Sequence, residues 1–150
     1  MSDPTHATRS IVVERTMPHP PEKIWRALTQ SSLIGEWLME NDFEARAGAA
    51  FTFRAKPMGN WNGIVHCEVT TFEPHRRLVY TWKGGTVQNA AYGSALDSVV
   101  EWTLTPVPGG TLVRMEHSGF RPQNDSAYTT MSGGWLTVLE RLERVTSERA

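Results

Sequence analysis

The run YTTMSGGWLTVLERLERV, residues 128–145, decides the architecture of this chain. At 100° per residue seven of its large apolar side chains fall on one stripe of a helix, whereas the charged residues between positions 140 and 144 point away from it. The stripe consists of Tyr128, Met131, Trp135, Val138, Leu139, Leu142 and Val145. The run therefore predicts one long amphipathic helix, which must bury its apolar side against another element.

Two glycines interrupt this run and lie off the apolar stripe. Gly133 and Gly134 each cost the interior of a helix roughly 1 kcal/mol relative to alanine. The helix could run through them from about Asp125, or it could begin near Trp135 after a mobile turn. Both alternatives are compatible with the sequence.

An opening strand and two short helices are predicted at the N-terminal side. Residues 10–17 are rich in β-branched side chains and stop before Pro18, which favours a strand. Pro21 is tolerated in a first helical turn, and the apolar residues up to Leu28 favour a helix there. A second short helix is predicted over residues 31–38.

Six further segments are predicted to be strands of an antiparallel meander, because each is short, apolar in alternation and bounded by turn residues. They are residues 43–45, 50–56, 64–72, 78–83, 98–106 and 111–117. The stretch 84–97 shows little periodicity and is expected to be an extended loop or a disordered edge. This order of elements predicts a two-layered α+β domain with the helices on one side of the sheet.

Alternation along the strands predicts which side chains face the long helix. The inward set comprises Phe51, Phe53, Val65, Cys67, Val69, Leu78, Tyr80, Trp82, Val100, Trp102, Leu104, Val113, Met115 and His117. The outward set includes Glu68, Glu101, Arg114 and Glu116. Charged residues are expected on the outward face of a sheet that is solvated on one side.

Composition favours a single domain, residues 1–150, and indicates no strongly charged partner. The chain is 39% hydrophobic with a formal net charge of −1, and no charged block would attract nucleic acid or anionic lipid. Its one cysteine excludes an internal disulfide and fits a reducing compartment, so a cytoplasmic location is expected. Residues 1–9 are expected to form a flexible tail. Neither a signal peptide nor a run of ~18 apolar residues occurs, so membrane insertion is not expected.

Motifs of known catalytic, metal or cofactor chemistry do not occur in the sequence. The chain lacks a Gly-x-Ser-x-Gly elbow, a His-x-x-x-His pair, a P-loop and a dinucleotide fingerprint, so no metal or cofactor is expected. Cys67 lies in an apolar row, where a thiol packs as a small hydrophobe. His117 is the one weak catalytic candidate, because it faces inward and its pKa could cross neutrality. A structural histidine is the alternative.

Six tryptophans are the most unusual compositional feature: Trp25, Trp37, Trp61, Trp82, Trp102 and Trp135. Three of them, Trp82, Trp102 and Trp135, are predicted to face the interior, while Trp37 and Trp61 are predicted near its mouth. Aromatic walls with few polar groups are typical of a lipophilic pocket. The alternative is that the same rings fill the core and leave no cavity.

Five segments resemble those of a known family and occur in the same order along the chain. They are IVVERTMPHPPEKIWRALT at 11–29, EWL at 36–38, PHRRLVYTW at 74–82, HSGF at 117–120 and GWLTVLERL at 134–142. The family is that of activators of the heat-shock-protein-90 ATPase and their homologues, within the START and polyketide-cyclase superfamily. The resemblance covers residues 10–146. It implies a helix-grip fold, in which a curved antiparallel sheet wraps around the C-terminal helix and leaves a cavity. It carries over no catalytic residue, and residues 57–63 and 84–97 depart from the family pattern.

The leading functional hypothesis is a cofactor-free protein that binds a small lipophilic or aromatic molecule in this cavity. Tyr80, His117 and indole N–H groups would orient the ligand. The residues expected to contact it are Trp37, Phe53, Trp61, Cys67, Tyr80, Trp82, Trp102, Met115, His117, Met131, Trp135 and Leu139.

Two alternatives use the same fold differently. One is an enzyme of cyclase, dehydratase or hydrolase type, in which His117 transfers a proton. The other is a protein-interaction module that resembles the chaperone-activating domain, with a role in the stress response. Chaperone association has no other support in the sequence, and homodimerisation through a sheet edge is open.

Overall fold

A computed structural model of the protein describes residues 8–56, 63–84 and 96–150. Its first strand, β1 (Arg9–Met17), stops before Pro18, and the following prolines lead into α1 (Pro21–Thr29) and α2 (Ser31–Trp37). Pro21 occupies the first turn of α1, where its missing N–H costs no helical hydrogen bond. The predicted strand and helix pair are therefore confirmed to within one residue at each end.

Six further strands complete one antiparallel sheet with β1. They are β2 (Glu40–Asn41), β3 (Ala50–Arg54), β4 (Ile64–Glu73), β5 (Arg77–Gly84), β6 (Leu96–Val107) and β7 (Gly110–Phe120). Their spatial order is β1-β7-β6-β5-β4-β3-β2, so the first strand lies beside the last one and the others form a meander. A short 3-10 turn (Pro122–Asn124) leads into the long helix α3 (Asp125–Arg149).

The strand predicted at residues 43–45 is wrong, because the short β2 lies just before it and pairs with β3. The side-chain oxygen of Asn41 accepts a hydrogen bond from the Phe43 N–H at 3.1 Å. The Asp42 carboxylate accepts one from the Thr52 N–H at 2.6 Å. These side chains satisfy backbone groups that a longer ladder would have used. Phe43 is still buried, with its ring edge-to-face on Phe51 at 5.0 Å.

The predicted loop at 84–97 and the predicted tail at 1–9 include residues that belong to strands. Gly84 still belongs to β5, and β6 begins at Leu96. Arg9 already belongs to β1. The remaining parts of both predictions, residues 85–95 and 1–7, lie outside the described residues.

The predicted inward face of the sheet is confirmed on β3 to β7, since all members of the inward set are buried. Two of the outward carboxylates, Glu101 and Glu116, form surface ion pairs. Arg77 contacts Glu101 at 2.6 Å, and Arg114 contacts Glu116 at 2.9 Å. Exposed pairs of this kind contribute about 0–1 kcal/mol each, so the stability of the fold depends chiefly on the inward face.

The long helix α3 is continuous through Gly133 and Gly134, which decides between the two alternatives that the sequence left open. Trp135 and Leu139 on the apolar stripe are buried, whereas Leu136, off the stripe, is 57% exposed. The helix-grip arrangement implied by the family resemblance is therefore confirmed. No helix among the described residues is long and apolar enough to cross a membrane.

Charged side chains attach α3 to the edge of the sheet. Arg15 on β1 donates two hydrogen bonds to the Glu143 carboxylate, at 3.1 and 3.3 Å. Arg9 pairs with Asp125 and lies 3.9 Å above the centre of the Tyr128 ring. These contacts join α3 to β1 at the edge of the sheet, beside the apolar contact between the helix and the inward face.

Gly110, which begins β7, packs directly on the backbone at the end of β1. A Cβ atom at this position would fall 2.0 Å from the Met17 carbonyl oxygen. We therefore expect Gly110→Ala to lower the free energy of unfolding by at least about 2 kcal/mol, because the obstacle is backbone and cannot rotate away. Urea denaturation measures this change.

Gly133→Ala is the control, because a Cβ at Gly133 meets no atom within 4 Å. It should raise the free energy of unfolding by about 1 kcal/mol through helix propensity. If Gly110→Ala left the unfolding midpoint unchanged, β7 would not pack on β1 as described.

Candidate functional site

Aromatic rings fill most of the space between α3 and the sheet. Trp37 packs edge-to-face on Trp102 with ring centroids 5.5 Å apart. Trp102 packs in the same way on Trp135 at 5.9 Å, and Trp135 on Trp82 at 5.8 Å. Aromatic pairs in this geometry are stabilised beyond their buried area. These four tryptophans therefore form a packed core between α3 and the sheet, which is the alternative that the sequence left open.

A pocket of about 140 Å³ remains beside this core, partly open to solvent. Its lining residues are Leu38, Met39, Trp82, Met131, Gly134, Trp135 and Val138. All of them are apolar. The pocket thus lies where the end of α2, strand β5 and the middle of α3 meet.

The helix contributes its share of the lining through regular spacing. Met131, Gly134, Trp135 and Val138 stand at i, i+3, i+4 and i+7, which places them on one side of α3. Gly134 is itself exposed, and a Cβ there would meet no atom within 4 Å. Its missing side chain therefore leaves this edge of the pocket open.

The end of α2 supplies the opposite wall. The Trp37 indole N–H donates to the Ala27 carbonyl at 2.8 Å, which ties the last turn of α2 to α1. Leu38 and Met39 follow directly and line the pocket. The core packing of Trp37 thereby positions two residues of the site without contributing to its lining.

The predicted site residues divide into three groups. Trp82, Met131 and Trp135 line the pocket. Eight others are buried in the packed core: Trp37, Phe53, Cys67, Tyr80, Trp102, Met115, His117 and Leu139. Trp61 lies outside the described residues.

Sequence reasoning missed four lining residues: Leu38, Met39, Gly134 and Val138. Val138 was visible on the apolar stripe, and Gly134 could have been found from its spacing to Met131 and Trp135. Leu38 ended the apolar side of the predicted second helix. Met39 carries no signal of its own.

His117 is fully buried and both of its ring nitrogens have partners. The Trp135 indole N–H donates to Nδ1 at 3.1 Å, so Nδ1 carries no proton. Nε2 therefore carries the proton and donates to the Ser98 hydroxyl at 2.8 Å. That hydroxyl donates in turn to the Trp82 carbonyl at 2.8 Å. Neutral His117 thus satisfies every polar group of this chain of hydrogen bonds.

Burial lowers the pKa of His117 to about 3. A second ring proton would point at the Trp135 N–H, and no carboxylate contacts the ring within the described part of the chain. These contacts support the structural histidine rather than the proton-transfer candidate. They also connect α3 to β6 and β7 through a polar link inside the apolar core.

Two further polar groups of the predicted site are also held inside the core. The Tyr80 hydroxyl accepts a hydrogen bond from the Trp102 indole at 3.0 Å, and burial raises the pKa of Tyr80. Burial likewise raises the pKa of the Cys67 thiol, so it stays protonated and is a poor nucleophile. Among the described residues, no group of three or more His, Cys, Asp or Glu side chains could hold a metal ion.

Comparisons with known proteins agree on the architecture. Residues 18–147 match the family model described as activator of Hsp90 ATPase homolog 1-like protein. No curated protein matches the chain.

Solved structures with the same arrangement include protein MLL2253 from Mesorhizobium loti, which is 45% identical over 95% of this chain and 99% of that one, with a TM-score of 0.82. CalU16 from Micromonospora echinospora is 27% identical over 94% and 78% of the two chains, with a TM-score of 0.69. The Aha1 dimer from Colwellia psychrerythraea is 20% identical over 90% and 93%, with a TM-score of 0.71. At that identity the last likeness shows the fold alone.

The buried neutral state of His117 predicts a dependence of stability on pH. The unfolded chain takes up a proton near the ordinary pKa of 6.5, whereas the folded chain does so only at about 3. Stability should therefore fall as the pH drops below 6.5, by up to about 1.4 kcal/mol per pH unit from this residue. Urea unfolding at pH 6.5, 5.5 and 4.5 measures the slope.

A comparison with His117→Gln isolates this contribution from the carboxylates that titrate in the same range. The variant should be less stable at pH 6.5 and show a shallower slope, whereas His66→Gln, at an exposed position, should keep the slope of the parent protein. Equal slopes in the parent and His117→Gln would show that the imidazole is not held neutral.

Proposed function

The chain belongs to the family of activator of Hsp90 ATPase homolog 1-like proteins, and on that premise we propose that it binds a small lipophilic molecule between α2, β5 and α3. The observation that carries the proposal is the pocket of about 140 Å³ with an entirely apolar lining. Apolar clefts with this position between a helix and a sheet suit ligands that leave water through the hydrophobic effect.

The volume of the pocket limits the size of its ligand. Sites for drug-sized molecules measure about 300–1,000 Å³, which is well above the 140 Å³ found here. An engineered apolar cavity of about 150 Å³ in another protein binds benzene. A molecule of about one ring therefore fits the pocket without rearrangement of the core.

The apolar lining also sets the expected affinity. An aromatic ring the size of a phenylalanine side chain buries roughly 150 Å² or more, which at ~25 cal/mol per Å² is worth about 4–6 kcal/mol. Binding also costs translational and rotational freedom. Because that cost is subtracted from the gain of about 4–6 kcal/mol, we expect a dissociation constant no tighter than tens of micromolar.

The enzyme alternative receives no comparable support from the described residues. His117 is committed to Ser98 and Trp135, and the lining residues carry no acid or base. Chaperone association and a stress-response role stay predictions from the family resemblance, and homodimerisation through a sheet edge stays open. A cytoplasmic location likewise stays a prediction, supported by the one free and buried thiol.

Gly134→Leu tests the proposal by filling the pocket. A Cβ at Gly134 meets no atom within 4 Å, so the helix can accept leucine there. Toluene titrated into the labelled protein should shift the amide resonances of Met131, Gly134 and Trp135 in two-dimensional NMR. In Gly134→Leu we expect the affinity to fall at least about tenfold, because the side chain occupies the volume of the ligand.

Gly133→Leu is the matched control for this variant. Replacing Gly133 by leucine raises the helix propensity by the same amount as replacing Gly134. Gly133 is exposed and does not line the pocket. The Gly133→Leu variant should bind toluene as the parent protein does. The proposal fails if toluene and other small apolar molecules do not bind, or if both leucine variants bind equally well.

A further inference from the structure

The composition of the pocket wall indicates more than general hydrophobicity. Resting on the proposed function, we infer that this pocket selects an uncharged single aromatic ring, in preference to a saturated ring of the same size or to a ring that carries a carboxylate. The basis is the set of seven lining residues, two of which are tryptophans and two methionines.

The two tryptophans offer aromatic surface at an angle. The rings of Trp82 and Trp135 lie 5.8 Å apart with their planes at 62°, and both side chains are almost completely buried. Each indole leaves a small accessible part, 3% of Trp82 and 4% of Trp135, and a third ring seated in the pocket can contact that part at an angle, which is a geometry that aromatic pairs prefer. A saturated ring lacks the π quadrupole that favours this geometry, so it gains only dispersion from the same contacts.

The two methionines also favour an aromatic ring over a saturated one. Met39 and Met131 are partly buried and line the pocket, Met39 from the segment that follows α2 and Met131 from α3. Thioether sulfur is polarisable and makes favourable contacts with aromatic ring edges. Together these contacts should favour an aromatic ring over a saturated one by about two- to tenfold in the dissociation constant.

The absence of polar lining residues among those described sets the charge preference. No cation lines the pocket, and the Trp135 N–H is already donated to His117 Nδ1 at 3.1 Å. A carboxylate at the ring would lose part of its hydration without gaining a partner. We expect at least a tenfold loss of affinity for such a ring, an order-of-magnitude figure from the cost of burying unpaired charge.

Three probes of similar size test the inference on the full chain: toluene, methylcyclohexane and benzoate. Their dissociation constants at pH 7 are measured by NMR titration, following the amides of Gly134 and Trp135. Toluene should bind about two- to tenfold more tightly than methylcyclohexane and at least about tenfold more tightly than benzoate.

The outcomes separate this inference from the function on which it rests. If none of the three probes binds, the proposed function itself is wrong. If either methylcyclohexane or benzoate binds as tightly as toluene, the pocket lacks the selectivity that we infer. That result overturns the inference alone and leaves the proposed function in place.

A methionine variant tests the physical cause of the selectivity. Met131→Leu removes the sulfur with little change in volume. The ratio of the methylcyclohexane dissociation constant to the toluene dissociation constant should therefore fall by about twofold or more. Met115→Leu is the control, because Met115 is completely buried and does not line the pocket. An unchanged ratio in Met131→Leu, with toluene still bound, would overturn the contribution assigned to the thioether.

Discussion

The burial of one side of α3 against the inward face of the sheet is the constraint on which the rest of the structure depends. Trp135 lies at the centre of this contact. Its ring packs on Trp82 and Trp102, and its N–H is donated to His117 on β7. The same side chain then forms part of the pocket wall. The residue that joins helix to sheet therefore also defines the site, so fold stability and ligand binding share one aromatic cluster.

Much of the fold could be predicted because its signals are local and periodic. Alternation along β6 and β7 placed Trp102, Met115 and His117 inward, and the helical stripe identified the buried side of α3. The strand at 43–45 was mispredicted because Asn41 and Asp42 use their side chains to bind backbone N–H groups, a choice that alternation does not reveal. The family resemblance supplied the curvature of the sheet around the helix, which periodicity alone does not indicate.

The site was less predictable because it depends on how large rings pack, not only on which way they face. Alternation along the strands placed Trp82 and Trp102 on the same face of the sheet. Trp82 nevertheless lines the pocket, whereas Trp102 is enclosed between Trp37 and Trp135. Gly134 matters through the side chain that it lacks. Its helix-propensity cost of roughly 1 kcal/mol is not imposed by packing, since its Cβ position is empty. Empty volume is a property of the assembled elements and has no direct sequence signal.

The central claim is that the space between Trp82 and Gly134 admits a small apolar molecule while the core stays packed. A crystal of the protein soaked with iodobenzene tests this claim most directly, because the anomalous scattering of iodine locates the ring. The account predicts an iodine peak in contact with Met131, Trp135 or Val138, with the hydrogen bond between Trp135 and His117 intact. A pocket that stays empty at saturating iodobenzene, or a ring that enters only by displacing Trp135 from the core, would contradict it.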